Sequence, residues 1–130
     1  MGTEGQEDQP RYGTINFEKR KHPRFSLDLP VEYYKLGSMV KHDGKAMNAS
    51  QSGLLLYFSE PPQIGQYLRL KLFLPSDSKL KVIKMIAVVV WMDTIPPKTD
   101  WGEYRIGVKF VDISAEDMTG LENFLRRLAR

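Results

Sequence analysis

The stretch Phe25-Ser26-Leu27-Asp28-Leu29-Pro30-Val31-Glu32-Tyr33 places an apolar residue at every second position. A period of two marks a β-strand with one buried face, because successive side chains leave the backbone on opposite sides. The pattern recurs outward from it. Gly53 to Phe58 is a short apolar run ended by Pro61-Pro62, and Gln66 to Leu74 alternates through Tyr67, Leu68, Leu70, Leu72 and Leu74 before Pro75-Ser76-Asp77. Leu80 to Met92 is a long β-branched run, and Tyr104 to Val111 alternates again after a loop holding Pro96-Pro97. Between Tyr33 and Gly53, Lys35-Leu36-Gly37-Ser38 offers one turn and Asp43-Gly44 another. The Gly37 turn is preferred, because the apolar pattern resumes in a strand through Ala46 and Met47. Six short strands separated by turn residues specify an antiparallel barrel or sandwich.

The period changes only at the end. Ser114 precedes Ala115, Glu116 and Asp117, the order of a capping box with aspartate in place of glutamate. Met118, Leu121, Phe124, Leu125 and Leu128 then recur at helical spacing, and Arg126, Arg127 and Arg130 sit where the helix dipole favours cations. The expectation is a barrel to about residue 112 and an amphipathic helix over 115–129. Residues 1–18 carry Glu4, Glu7, Asp8 and Glu18 against Arg11 alone, with no hydrophobic period, and read as a disordered tail before a domain spanning 19–130.

Composition excludes several classes of function. The 130 residues are 42% hydrophobic and 27% charged with a net charge of +3, enough apolar content to bury one core. Without cysteine there are no disulfides, thiolate metal sites or cysteine nucleophiles, as fits a reducing, cytoplasmic compartment. The apolar run Met85–Met92 is far shorter than the roughly 20 residues of a membrane span, so no membrane insertion is expected. The opening MGTEGQEDQP lacks the basic and apolar regions of a signal peptide. His22 and His42 sit among lysines and arginines rather than beside a serine and a carboxylate, and no GxSxG, HExxH, GxxxxGK[ST] or GxGxxG motif is present. An enzyme is therefore not expected, nor is a metal site or a cofactor. Glu116-Asp117 is a helix start rather than a catalytic dyad.

Two segments carry binding chemistry. Lys19, Arg20, Lys21 and Arg24 place four cations in six residues. Pro23 disfavours a helix there, so an extended segment can turn both guanidiniums towards one ligand. Guanidinium is a fork of donors that matches phosphate oxygens or the O6/N7 edge of guanine. The second segment is Asn48-Ala49-Ser50-Gln51-Ser52-Gly53. Asn48 both donates and accepts, the Ser50 hydroxyl does either, and Gly53 permits a tight turn or a close approach. Each segment alone is more simply a solvated basic patch or a plain turn.

Together, in this order, they resemble the PilZ domain family, whose pattern is RxxxR followed by [D/N]xSxxG. Arg20 and Arg24 match the first element; Asn48, Ser50 and Gly53 match the second. The apolar strand ending at Trp91, the Gly107-Val108-Lys109-Phe110 strand and the terminal helix agree, so the resemblance runs from about Lys19 to the C-terminus. It implies a six-stranded antiparallel β-barrel that binds the bacterial second messenger cyclic di-GMP without catalysis. Arg20 and Arg24 would then clamp phosphate and a guanine edge, and Asn48 and Ser50 would bond to guanine and phosphate while Gly53 keeps the turn open. Trp91 occupies a position where some members pack an aromatic on the nucleotide, although core packing explains it equally well. Lys19 bears on whether one nucleotide or a stacked pair is held, and Lys21 is a candidate phosphate contact, although simple exposure to solvent explains it more readily.

The expected partners are cyclic di-GMP and an unidentified downstream protein, with no DNA or RNA, and the chain acting as a stand-alone adaptor, monomeric or weakly dimeric. In the free state the clustered cations repel and keep the lead-in mobile; a dianionic nucleotide ties it to the barrel. Two alternatives stand beside this. One is a PilZ-like protein-interaction adaptor for pilus or motility assemblies that takes no nucleotide, against which both motifs are intact. The other is a small basic barrel for single-stranded nucleic acid, which needs aromatics interleaved with cations on one sheet face. Tyr33, Tyr34, Tyr57, Tyr67 and Phe73 fall in alternating strands, where burial accounts for most of them.

Overall fold

The computed structural model describes residues 25–76, 79–95 and 104–128. Six strands follow one another: β1 (Phe25–Lys35), β2 (His42–Ala49), β3 (Gly53–Phe58), β4 (Tyr67–Ser76), β5 (Lys79–Thr94) and β6 (Tyr104–Ile113), then helix α1 (Ala115–Leu128). All neighbours are antiparallel, and the order β1-β2-β3-β6-β5-β4 closes because β1 bonds to both β2 and β4. The choice between barrel and sandwich is thereby settled for the barrel. Residues 19–24 and the tail 1–18 lie outside the described residues.

Alternation puts one apolar residue in two inside the barrel. Val31 and Tyr33, Leu54, Leu56 and Phe58, Leu68, Leu70, Leu72 and Leu74, Ile83, Ala87 and Val89, and Ile106 and Val108 are all buried. Each leucine-sized side chain removed from water contributes about 1.5–3 kcal/mol, so this lining holds the barrel shut. β2 supplies the small partners, Gly44, Ala46 and Ala49, opposite the large residues of β3. Gly44 pairs with Phe58, and a Cβ there would press on the Phe58 ring at 2.7 Å. Asp43-Gly44 is therefore interior strand and not a turn. The turn is the expected one at Gly37, with φ 90° and Ser38 N–H donating to Lys35 O at 2.8 Å.

β4 and β5 run longer than alternation indicated, because ten consecutive pairs from Tyr67↔Val88 to Ser76↔Lys79 keep the ladder intact through Pro75. Helix α1 starts where expected. The Ser114 hydroxyl accepts from Asp117 N–H at 3.0 Å, but the Asp117 carboxylate does not complete the capping box. It accepts from Lys84 N–H at 3.3 Å, which ties the first helical turn to β5. Leu121, Phe124 and Leu125 join the barrel core, so the helix buries its apolar face against the barrel.

Candidate ligand-binding face

The corner between β2 and β3 is built by its own polar groups. Ser50, 3% exposed, donates its N–H to Gly53 O at 3.0 Å, and its hydroxyl accepts from Ser52 N–H at 3.2 Å and meets Ser52 Oγ at 3.0 Å. Ser50 thus closes the turn. Ser52 O accepts from Phe110 N–H at 2.9 Å and fastens the corner to β6. At Gly53 a Cβ would overlap the Val108 carbonyl oxygen. Glycine is needed there because β6 passes so close, a stricter reason than an open turn.

β1 enters the barrel at this same corner, since Phe25 pairs with Ala49, the residue before Ser50. A bulge at Met47, between Ala46 and Asn48, then decides which way Asn48 faces. Beyond it Asn48 pairs with Ser26 on β1 and with Leu55 on β3. Leu55 pairs with Gly107 on β6, and Gly107 with Trp91 on β5. Cross-strand partners share a face, and Leu54 and Leu56 point inward, so this row crosses the outside of the barrel. A second bulge, between Val89 and Trp91, keeps Val89 inside and turns Trp91 out. Of its two readings at the sequence level, core is excluded: Trp91 is 38% exposed.

The indole rests on the bare backbone of Gly107, where a Cβ would overlap its Nε1 and Cε2. Two residues further along each strand Asp93 pairs with Arg105. The guanidinium grips the carboxylate in bidentate fashion, Nε to Oδ1 at 3.0 Å and a terminal nitrogen to Oδ2 at 2.7 Å. Those hydrogen bonds hold the Asp93 carboxyl below its ordinary value against a smaller opposing effect of desolvation, and raise Arg105 in turn. The Arg105 guanidinium carbon lies 5.9 Å from the centroid of the Trp91 ring. Sequence reasoning missed Asp93, Arg105 and the reason for Gly107. Their only local signal was two opposite charges on strands whose register a single sequence does not reveal.

Of the expected site residues, Asn48, Ser50, Gly53 and Trp91 fall on this face or its corner, whereas Lys19, Arg20, Lys21 and Arg24 lie outside the described residues. His42, given no role, stacks on Tyr33 at 4.9 Å, and Tyr33 in turn stacks on Phe58 at 3.8 Å. Burial, then the charges of Glu60 and Asp43, push the Tyr33 hydroxyl up to about 12.

The expectation that burial explains most of the aromatics needs correction. Of the five, Tyr33 alone is buried; Tyr67 is 45% exposed, and Tyr34, Tyr57 and Phe73 are half-buried. Each sits on the outer side of its strand. Tyr34 lies under Arg69, 4.6 Å from its ring, with Lys71 at 5.8 Å. Tyr34, Arg69, Lys71 and Lys84 line a groove of about 350 Å³ together with Ile86, Asp112 and Asp117. Among the described residues no group of three potential metal ligands occurs, and no helix is long and apolar enough to cross a membrane.

The PilZ domain family model matches residues 18–127, well over half of the chain. The chain belongs to the PilZ domain family. Solved structures agree on the fold. The PilZ domain with c-di-GMP of YcgR from Escherichia coli aligns with a TM-score of 0.69 at 14% identity, over 86% of this chain and 92% of that one. The Bacillus subtilis inhibitor of motility, MotI/DgrA, aligns at 0.68 and 22% identity over 84% of this chain and 50% of its own. The K. pneumonia MrkH–c-di-GMP complex aligns at 0.60 and 17% identity over 85% and 52%. This PilZ chain therefore spans about half the length of the motility inhibitor and of MrkH. No curated protein matches the sequence.

Proposed function

We propose that this PilZ chain is a cytoplasmic, non-enzymatic receptor for cyclic di-GMP that passes the signal to a partner protein. The observation that carries the reading is the register at the corner. Phe25 pairs with Ala49, so β1 begins beside the Asn48–Gly53 turn, and Arg24 is the residue before Phe25 in sequence. In this reading the two motifs meet at one rim of the barrel. A ligand with two phosphates and two guanines needs cations, edge-reading groups and a flat apolar surface. Arg20, Arg24, Lys19 and Lys21 offer the first, Asn48 the second and Trp91 the third. Ser50 and Gly53 act by building the corner, and ligand contact by the Ser50 hydroxyl requires it to exchange its bond to Ser52. Two charge-assisted bidentate contacts, at about 1.5–3 kcal/mol per hydrogen bond before the cost of ordering the lead-in, support micromolar binding. Cyclic di-GMP bound in two YcgR and MrkH structures of the same fold is consistent with this.

Calorimetry with cyclic di-GMP tests it. Heat of binding with the wild type, lost in Arg24→Ala without a change in melting temperature, is the expected result. No heat and no amide shifts with the wild type would overturn the reading and favour an adaptor that binds protein alone. One observation favours a nucleic-acid reading, the Tyr34 ring flanked by Arg69 and Lys71 on the other outer face. An oligonucleotide that competes with cyclic di-GMP as strongly as unlabelled nucleotide would support that reading instead.

A further inference from the structure

Gly107 sits in the middle of β6, where glycine is a poor choice for a strand and marks a close approach. What approaches is the Trp91 indole, laid on the outer face with one side against backbone and part of its surface open to solvent. Such a ring is free to swing outward unless something bounds it. Arg105 flanks it, and Asp93 fixes Arg105 through both carboxylate oxygens. The pair is neutral as a unit, so it adds little attraction for an anion. Its consequence is geometric.

We infer that Asp93 and Arg105 are positioning residues that hold the Trp91 indole flat on Gly107 as the stacking floor for one guanine of the bound nucleotide. The inference rests on the receptor reading above and goes beyond its motifs. Planar bases stack on aromatic side chains with an energy that depends on a preset ring orientation, because a mobile ring must be ordered at the moment of binding. Arginine serves better than lysine here, since only a planar fork can bond both carboxylate oxygens and keep a fixed plane beside the indole. The division of labour is then clear: the lead-in cations capture charge, and this platform orients a base.

The test uses the full chain carrying Trp101→Phe, so that Trp91 is the only indole. Removing both charges together, in Asp93→Asn/Arg105→Met, leaves the net charge unchanged. The expected result is freer quenching of Trp91 emission by acrylamide in the free protein, and cyclic di-GMP affinity weakened about tenfold. The dependence of affinity on salt keeps its slope, because no phosphate contact is lost. The exchanged pair, Asp93→Arg/Arg105→Asp, restores the bridge between β5 and β6 but moves the guanidinium to the other strand. It is expected to recover the melting temperature and not the affinity. Gly107→Ala, which lifts the indole by sterics alone, is expected to weaken binding by a similar factor. Wild-type affinity and quenching in the double variant would overturn the inference while leaving the receptor reading in place. So would affinity that follows melting temperature across both pair variants, since that is the mark of a scaffold contact. No uptake of cyclic di-GMP by the Trp101→Phe parent or the wild type would instead remove the receptor reading, and the inference with it.

Discussion

On the β5–β6 seam Asp93 faces Arg105, whereas on the β4–β5 seam Lys71 faces Lys84. Both pairs sit on the outside of the same barrel, directly across from one another in register. The first is closed by two short hydrogen bonds and lies beside Trp91, with the Arg105 guanidinium carbon 5.9 Å from the centre of the indole ring. The second has no ion pair among the described residues and lines an open groove with Arg69 and Tyr34. Opposite charges across a ladder stabilise by some tenths of a kcal/mol and like charges cost a similar amount. The lesson is that charge on a sheet exterior does two separable things: paired, it sets shape; unpaired, it sets potential.

The largest effect that divides these two faces is expected in ligand binding. Arg24→Ala should weaken cyclic di-GMP by more than about a hundredfold, equivalent to roughly 2.8 kcal/mol. Lys71→Ala and Lys84→Ala should stay within about twofold, because their face lies across the barrel from the Asn48 corner. Calorimetry on the three variants checks this, and the reverse order would assign the nucleotide to the groove.

The next effect is on stability. Gly53→Ala forces β3 away from the Val108 carbonyl and should cost roughly 2–3 kcal/mol in urea unfolding. Alanine at exposed Lys84 should change stability by less than about 0.5 kcal/mol. Equal losses at the two sites would mean that the corner yields more easily than its geometry implies.

A smaller effect sharpens the contrast directly. Lys84→Glu converts the like-charged pair into an opposite one and should raise stability by roughly 0.5 kcal/mol at low salt, a gain that shrinks as salt is added. Thermal melts at two ionic strengths read it.

The smallest concerns acid. The Asp93 carboxyl is held below its ordinary value, so as pH falls the unfolded chain takes up that proton before the folded one. The contribution of the pair is present above the ordinary carboxylate range and disappears as pH drops through the depressed value. Both partners are well exposed, so solvent limits the effect to about 0.2–1 kcal/mol. Melting curves of the wild type and Asp93→Asn should therefore converge towards low pH. A gap that widens on acidification would contradict the sign.

Much of the fold was legible because alternation is a local property. The Gly37 turn, the run from Gly53 to Phe58 and the Ser114 cap all announce themselves within a few residues. The Asn48–Gly53 corner was legible as a turn for the same reason. What the chain did not reveal is the effect of one extra residue at Met47 and another at Val90, each of which reverses the facing of everything after it. Trp91 was ambiguous for that reason alone. The tyrosines misled through the same channel: alternation says that half of a strand faces inward and does not say which half. The Asp93–Arg105 contact spans strands whose pairing depends on the whole barrel, so no spacing within the chain encodes it.

The closure of β1 onto β4 has a consequence for anything this barrel meets. Where the two strands pair, Val31–Lys35 against Leu68–Leu72, no free rim of amides and carbonyls is left for a second polypeptide to extend by strand addition. Recognition along that seam must then be written in side chains and in the loops at the barrel ends, which are the parts of the chain freest to diverge without disturbing the core.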